Sequence, residues 1–431
     1  GLGGTCILTE SSSFEAPGQR ASVGLVALLL FLHAINQIDR QMVASFAPEI
    51  MRDLALSRSQ FALIAGLAFS SFYAFAALAA GILADRIGRV PVLTAGVAVW
   101  SLFTGLAGLS QGFWSLLAAR PLVATGEATL VPTATNIILA RTPDRLKAGA
   151  IGLFFGGIPL GVGGSFLIAG NLGPVIGWRN CFLMMAALGL VSTLLVSRIT
   201  DNDHLAAANE AKPHAGAKLA GLWAMLKVNR RLRYATLAIV LFHAHAATGP
   251  FVQLWMHDDK GMTAGRAASL YGGLFIVVGL AGSLGTGALT DWLHRKYGID
   301  RARSLLWLLL CLAPLILAYR LTPGGSWPFL AGMAASILFT TSVYGPMFSV
   351  IERELPPGLK ATATGVNMLA LNVVMIGGLS LLIGIVSEAL SRAGYGNSWT
   401  IPMLGADTIA LGSITFLWLA SRHAPIEKPQ F

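Results

Sequence analysis

Asp39 and Arg40 stand in the run Asn36-Gln-Ile-Asp39-Arg40, and Arg120 and Glu127 in Arg120-Pro-Leu-Val-Ala-Thr-Gly126-Glu127-Ala128, each inside a long apolar stretch. A charged side chain at the centre of a membrane helix costs roughly 2.5–3.5 kcal/mol on insertion scales, so four uncompensated ones cost on the order of 10 kcal/mol. They must face a protein interior and find partners. Arg120 and Glu127 are seven positions apart, which puts them on one helix face about 10 Å from each other. Asp39 is expected to reach either. Burial disfavours the charged form of a carboxyl group and a nearby arginine favours it. A carboxylate that meets an arginine and an apolar wall by turns therefore loads and unloads a proton. Proton relay is the chemistry expected of Asp39, Glu127, Arg120 and Arg40; the plainer alternative is a static charge network that fixes helix packing.

Those four charges are conspicuous because of their background. Of 431 residues, 55% are hydrophobic and only 12% charged, about half the charged share of a soluble globular protein, and the mean hydropathy is +0.68. No water-soluble packing hides so much apolar surface. A soluble enzyme, a disordered chain and a secreted disulfide scaffold are excluded, and the chain belongs in lipid. The three cysteines, Cys6, Cys181 and Cys311, are scattered and form no CxxC or Cys/His pattern, so no metal site is expected. Residues 1–20 are polar, without a charged-then-apolar pattern, so the first apolar run, from about Ser22, is expected to be retained rather than cleaved.

A hydrocarbon core of ~30 Å needs about 20 apolar helical residues per crossing. The apolar runs give twelve candidate spans, roughly 22–50, 58–83, 91–109, 112–140, 146–170, 176–197, 232–256, 264–290, 302–320, 327–351, 360–389 and 399–421. They are continuous rather than alternating, so the spans are helices, not barrel strands. The expected organisation is a tail over 1–21, a six-helix bundle over 22–198, a linker over 199–231, a second six-helix bundle over 232–422 and a tail over 423–431. In the linker Leu219, Leu222, Trp223 and Leu226 recur at helical spacing between Lys218 and Lys227, which fits an amphipathic helix lying on the membrane face or a solvated segment packed on the bundle. If the N-terminus is cytoplasmic, the inside segments hold about 21 of the 30 Lys and Arg residues and the outside loops about 7. That bias sets both termini and the linker in the cytoplasm. It also accounts for much of the net charge of +10 without a nucleic-acid partner.

Between the second and third spans stands Gly81-Ile-Leu-Ala-Asp85-Arg86-Ile-Gly88-Arg89. The glycines are expected to allow close helix approach, and Asp85 to accept hydrogen bonds or pair with an arginine, latching one conformation. A degenerate echo, Gly287-Ala-Leu-Thr-Asp291-Trp-Leu-His294-Arg295-Lys296, occupies the equivalent loop of the second half. The first segment resembles the G-x-L-a-D-r-x-G-r motif of the major facilitator superfamily, and the pair resembles its parallel repeat. The resemblance implies an all-α membrane fold of twelve helices in two pseudo-symmetric six-helix bundles. Gly81, Asp85, Arg86, Gly88, Arg89, Asp291 and Arg295 would then form a cytoplasmic gate.

Further runs resemble the spinster-type branch: Asn36-x-x-Asp39-Arg40, Gly126-Glu127-Ala128 followed by Pro132-Thr133, and Phe154-Phe155-Gly-Gly-Ile158-Pro159-Leu-Gly161. The branch's corresponding runs read N-Y-x-D-R, G-E-A-s-y…P-T and F-Y-x-x-I-P-v-G-s, so Gln37 departs from the usual Tyr, and Leu130 and Val131 from a Ser-Tyr-like pair. The branch moves sphingolipids and lysolipids, with proton coupling in bacterial relatives. The resemblance implies rocker-switch transport of a lipid-like substrate, with Asp39 and Glu127 as the protonation pair and Arg120 as their modulating base. Organic-anion symporters of the same superfamily share N-x-x-D-R, so a small organic or sugar acid is the rival substrate. The expected partners are that substrate, protons and membrane lipids, with no cofactor and no metal, in a monomer of an inner membrane. Gly161-Val-Gly163-Gly164 lies inside a span and not after a strand, so ATP-driven transport has no motif to support it.

Asn36, Phe155, Pro159, His243, Tyr344 and Asn372 are the expected cavity residues. Such histidines are more often satisfied by a backbone carbonyl than functional, and His243 and His245 share that alternative. Asn367 is a further candidate donor. Asp407 is expected to sit shallowly in the last span, and the second half, poor in charges, to present a mostly apolar wall.

Overall fold

The computed structural model describes residues 23–199, 215–342, 347, 350–351 and 353–423. Among these, ten helical stretches are long and apolar enough to cross a bilayer. One of them, 144–196, doubles back at Gly177, whose φ of 80° is open to glycine but strained for other residues. With Trp327–Ser342, which is shorter, the spans are twelve. We number them α1 (Val23–Ser45), α2 (Arg58–Ile87), α3 (Arg89–Gly108), α4 (Phe113–Arg141), α5 (144–172), α6 (Gly173–Val196), α7 (Arg230–Asp258), α8 (Ala264–Tyr297), α9 (Arg301–Tyr319), α10 (Trp327–Ser342), α11 (Gly358–Arg392) and α12 (Thr400–Arg422). The expected first span, 22–50, is too long: α1 ends at Ser45, and a separate short helix, Ala47–Asp53, follows with Pro48 in its first turn, where proline starts a helix but cannot continue one.

The starts and stops follow local chemistry. Ser57 and Gln60 cap the start of α2 reciprocally. The Asn229 side chain accepts from the backbone N–H of Leu232 at the start of α7, and that of Asp300 from Ala302 at the start of α9. Gly88, at φ 103°, turns α2 into α3. Within α7, Gly249-Pro250 breaks the α-helix into a 3₁₀ segment, His245–Phe251, because proline supplies no N–H and restricts the residue before it.

Phe72, Phe75, Trp114, Leu194 and Val277 are exposed on the outer surface of the spans, an apolar exterior that belongs against acyl chains. Between spans 6 and 7 the helix Ala215–Val228 buries Leu222 and exposes Leu219 and Trp223, with Lys227 over the Trp223 ring. Most of the preceding linker, and both tails apart from His423, lie outside the described residues.

Where the two halves meet, small residues touch. An added Cβ on Gly163 of α5 would come within 2.6 Å of the Gly272 carbonyl of α8, and one on Gly170 within 2.8 Å of the Gly265 carbonyl. On the other side α2 meets α11 in the same way: Gly66 faces Ser380, Gly377 faces Ser70 and Gly384 faces Ala62.

At the distal face, opposite the start of α1, polar bonds join the halves. Arg58 of α2 donates to the Ser387 and Ser398 hydroxyls at 2.7 and 2.6 Å and reaches Asp258 at 3.3 Å, with its guanidinium over the Trp399 ring. Ser59 donates through its hydroxyl and its backbone N–H to Glu388. Nearby, the Trp178 indole N–H donates to Asp53; that bond, with Arg52 beside it, holds the Asp53 carboxyl below its ordinary range. These bonds tie the two halves together at the distal face.

Candidate functional site

The four expected charges come together in the first half, but not as ion pairs. Asp39, Arg120 and Glu127 are buried at 2%, 2% and 0% exposure. Arg120 donates through Nη2 to the backbone carbonyl of Arg40, 3.3 Å away. Its guanidinium lies over the Phe69 ring at 4.3 Å, and that of Arg40 over Phe69 and Tyr73 at 5.1 and 4.2 Å. Asp39 accepts from the Thr104 hydroxyl of α3 at 2.6 Å, while its other oxygen has no hydrogen-bond partner. Neither carboxylate oxygen of Glu127 has one. Asp39, expected to reach Arg120 or Glu127 directly, makes no ion pair with Arg120 within 4 Å and no hydrogen bond to Glu127, although Asp39, Arg120 and Glu127 act on one another electrostatically and Arg40 acts on Arg120 and Glu127. Thr104, Phe69 and Tyr73 carried no sequence signal, being an ordinary hydroxyl and two rings among apolar neighbours.

Local sequence explains why Glu127 is there. The regular helix of α4 ends at Glu127 and resumes at Leu130. Pro132 lacks the N–H that would reach the Ala128 carbonyl, which loosens this turn. Gly126 lets α4 close onto α3: a Cβ there would lie 2.6 Å from both the Gly96 carbonyl and the Trp100 nitrogen. Gly126→Ala is expected to push the two helices apart and lower stability by about 1–3 kcal/mol, read as a fall in melting temperature in detergent. An unchanged melting temperature would show that the crossing yields freely.

Of the expected cavity residues, Asn36 is buried with its side-chain nitrogen unbonded. Phe155 meets the His33 ring edge-on at 5.8 Å, Phe154 stacks on the same ring at 4.3 Å and donates no polar group of its own, and the Phe154 backbone carbonyl bonds His33 Nδ1 at 2.9 Å. Pro159 packs against Gly279 of α8, where an added Cβ would lie 2.9 Å away. His243 bonds the Ile239 carbonyl one turn back at 2.7 Å, and Asn372 the Met368 carbonyl at 2.9 Å; both are engaged within their own helices. Tyr344 lies outside the described residues.

In the gate motif, Gly88 supplies the turn, but Gly81 has nothing within 4 Å of an added Cβ, so the close approach expected of it is not made. Asp85 and Arg86 are exposed, and Arg89 donates to the Asn136 carbonyl of α4 at 3.4 Å. In the second half Asp291 is bound by Arg301 through two nitrogens at 2.7 and 3.0 Å. Arg295 lies in the last turn of α8, which runs on to Tyr297 before Gly298 ends it in the left-handed conformation.

The second half departs most from expectation. Asp407 does not reach the interface: it is fully buried, 2.8 Å from Arg320 and 2.6 Å from His245 Nδ1. Arg320, the last residue of the expected ninth span, is also fully buried. The wall expected to be apolar thus holds a charge network within it.

The sequence profile described as Major Facilitator Superfamily matches residues 29–379. An MFS-type efflux pump of Mycolicibacterium smegmatis is 26% identical over 424 residues, 96% of this chain and 95% of that protein. A hexuronate transporter of Bacillus subtilis is 29% identical over 279 residues, 63% of this chain and 65% of that protein. Protein spinster of Drosophila melanogaster is 25% identical over 398 residues, covering 88% of this chain and 65% of its own length. Among solved structures, a bacterial homolog to the human lysosomal transporter Spinster, in an inward-facing and unoccupied conformation, superposes with a TM-score of 0.76 at 22% identity, over 93% of this chain and 96% of that one. Twelve helices in two halves, the loop between α2 and α3 and the profile match agree: this chain is a multi-pass membrane transporter, not an enzyme, and belongs to the Major Facilitator Superfamily.

Proposed function

We propose that the protein is a proton-coupled secondary transporter of an amphiphilic, lipid-like substrate, working by rocker-switch alternating access. The observation that carries the coupling is Glu127, fully buried with neither oxygen hydrogen-bonded, in the group formed with Asp39, Arg40 and Arg120. An uncompensated carboxylate there is expensive and a neutral acid much less so, which suits a group that exchanges a proton as the halves rock. Asp39 is the second member, Thr104 its fixed donor, and Arg120 and Arg40 the bases, the latter also available to an anionic headgroup.

The spinster-like runs and the similarity to protein spinster support a lipid-like substrate. So does the second half. Arg320, Asp407 and His245 are bonded to one another within the bundle, and so are not offered to a sugar acid. The positive bias of the proximal segments supports cytoplasmic termini; the protein is then read as an inner-membrane monomer whose distal face is the outer one.

Proteoliposomes with an imposed pH gradient test the reading. Lysophospholipid and sphingoid base are expected to move faster with the gradient than without it, and hexuronate not to move. Gradient-driven hexuronate uptake without movement of either amphiphile would overturn the substrate class.

A further inference from the structure

The charge network of the second half sits where α7 is broken. His245 opens the 3₁₀ segment, and its ring lies between Asp407 of α12 at Nδ1 (2.6 Å) and the Ser336 hydroxyl of α10 at Nε2 (2.9 Å). Arg320, just past α9, holds the other Asp407 oxygen through Nε at 2.8 Å. Its Nη2 donates to the Thr248 hydroxyl at 3.2 Å, and that hydroxyl donates to the His245 carbonyl at 2.8 Å. The same guanidinium lies 4.6 Å from the Trp255 ring. Three residues beyond Trp255 stands Asp258, the partner of Arg58 in the distal tie. The network therefore grips both the break and the segment that carries the second half's side of that tie.

Two hydrogen-bond assignments fill this geometry. With a neutral imidazole, Nδ1–H donates to Asp407 and the Ser336 hydroxyl donates to Nε2. With an imidazolium, both ring nitrogens donate and the Ser336 oxygen accepts. Tyr319 sends its hydroxyl towards the same Ser336 oxygen at 3.4 Å. The site thus takes up a proton without losing a hydrogen bond. His33 and His243 have backbone carbonyls at Nδ1 instead, while His257, at the distal end of α7, has Asp258 there at 2.8 Å but keeps nearly half of its side chain exposed. What changes at His245 is the charge: Arg320 and Asp407 cancel, so the added proton leaves one net positive charge in a dry site.

Among the described residues, no carboxylate other than Asp407 bonds His245 or Arg320. The 370–378 stretch of α11 and the 63–68 stretch of α2, packed near the break, hold no titratable residue. Glu388 lies at the distal end of α11, bound to Ser59 and Arg392. From α1, Asp39 faces Thr104 and Arg40 faces Phe69 and Tyr73. Tyr271 of α8 acts electrostatically on Arg320, and Lys260 donates to the Arg320 carbonyl at 2.6 Å; at the distal end of α7 and just past it, Asp258 is held by His257 and Arg58, and Asp259 by Trp399 and Thr400.

We propose that His245, with Asp407 and Arg320, is a second proton-binding site, and that its proton releases the distal segment of α7 and so the tie between the halves. The excess charge favours an arrangement in which water reaches the break. This goes beyond the relay at Asp39 and Glu127 and does not depend on it.

The test uses the full-length protein labelled with ¹⁵N-histidine, with spin labels at Gln111 and Asn397, exposed on opposite halves of the distal face. One imidazole resonance, absent from His245→Gln and moved by Ser336→Ala, is expected to pass from neutral to doubly protonated as the pH is lowered across the titrated range. The label distance is expected to lengthen over the same range in the wild type and in Glu127→Gln, and to stay fixed in His245→Gln. A resonance that keeps one protonation state throughout, or a His245→Gln label distance that responds to pH as the wild type does, overturns the proposal. The resonance shifted by Ser336→Ala decides the matter even if His245→Gln fails to fold. Loss of the response in Glu127→Gln alone would move the proton switch back to the first half and equally overturn it.

Discussion

Glu127→Gln protein in proteoliposomes is expected to lose gradient-driven transport on the order of a hundredfold, the scale at which a positioned proton-exchanging group contributes, while exchange without a gradient persists. Glutamine keeps the size of the side chain and removes the exchangeable proton. The site has no hydrogen bond to Glu127 to lose, so the fold has little reason to notice the change, and a melting temperature near the wild-type value is part of the expectation. Asp39→Asn is the companion variant. Its amide oxygen still accepts from Thr104, so it too loses the proton and keeps the contact. Measured as gradient-driven substrate flux, two variants that behave as the wild type would leave Asp39, Arg40, Arg120 and Glu127 as a packing cluster and remove the coupling from this half.

Asp407→Ala gives the largest expected loss of stability. It strips Arg320 and His245 of their carboxylate inside the bundle, where both members of the Arg320–Asp407 pair are fully buried. Removing one partner of such a pair typically costs about 3–5 kcal/mol, because the other charge is left uncompensated. Thermal unfolding in detergent measures it. The double variant Arg320→Met with Asp407→Leu separates charge from space: replacing a whole buried pair with apolar side chains is often near neutral, so it is expected to recover most of the loss. A single variant as stable as the wild type would mean that water reaches Arg320.

How much of this was readable from the sequence depended on contrast. Asp39, Arg120 and Glu127 stand out because a charge inside an apolar run has few explanations, and the Gly81–Arg89 loop because its residues are contiguous. Arg320 and Asp407 did not stand out. Arg320 closes α9 and precedes a Pro-Gly-rich turn, where an arginine ordinarily reaches water; Asp407 sits in a span with no second charge nearby in sequence. Their meaning lies in a pairing across 87 positions that periodicity cannot reveal. His243 and His245 look equivalent in the sequence, two residues apart, yet the break in α7 turns one to its own helix and the other to Asp407. Gly249-Pro250, which carries that break, was not singled out in the sequence. Gly81 was misleading for the opposite reason: a glycine near a helix end suggests proximity, but no neighbour stands close enough to require it.

The glycine-to-carbonyl meetings of α5 with α8, and the Gly–Ser and Gly–Ala meetings of α2 with α11, have a mechanical meaning. Interdigitated leucines would act as gear teeth, and each step of one half past the other would require rotamers to be undone. Glycine backbone resting on carbonyls and on mostly small side chains is nearer to a plain bearing: its teeth are short, so it resists separation more than rotation. The two halves are thus joined along surfaces that set an axis without setting an angle, and the angle is left to the few polar bonds of the distal face. A single methyl group added at Gly163 or Gly272 would be grit in that bearing, felt first in the speed of turnover and only then in the stability of the fold.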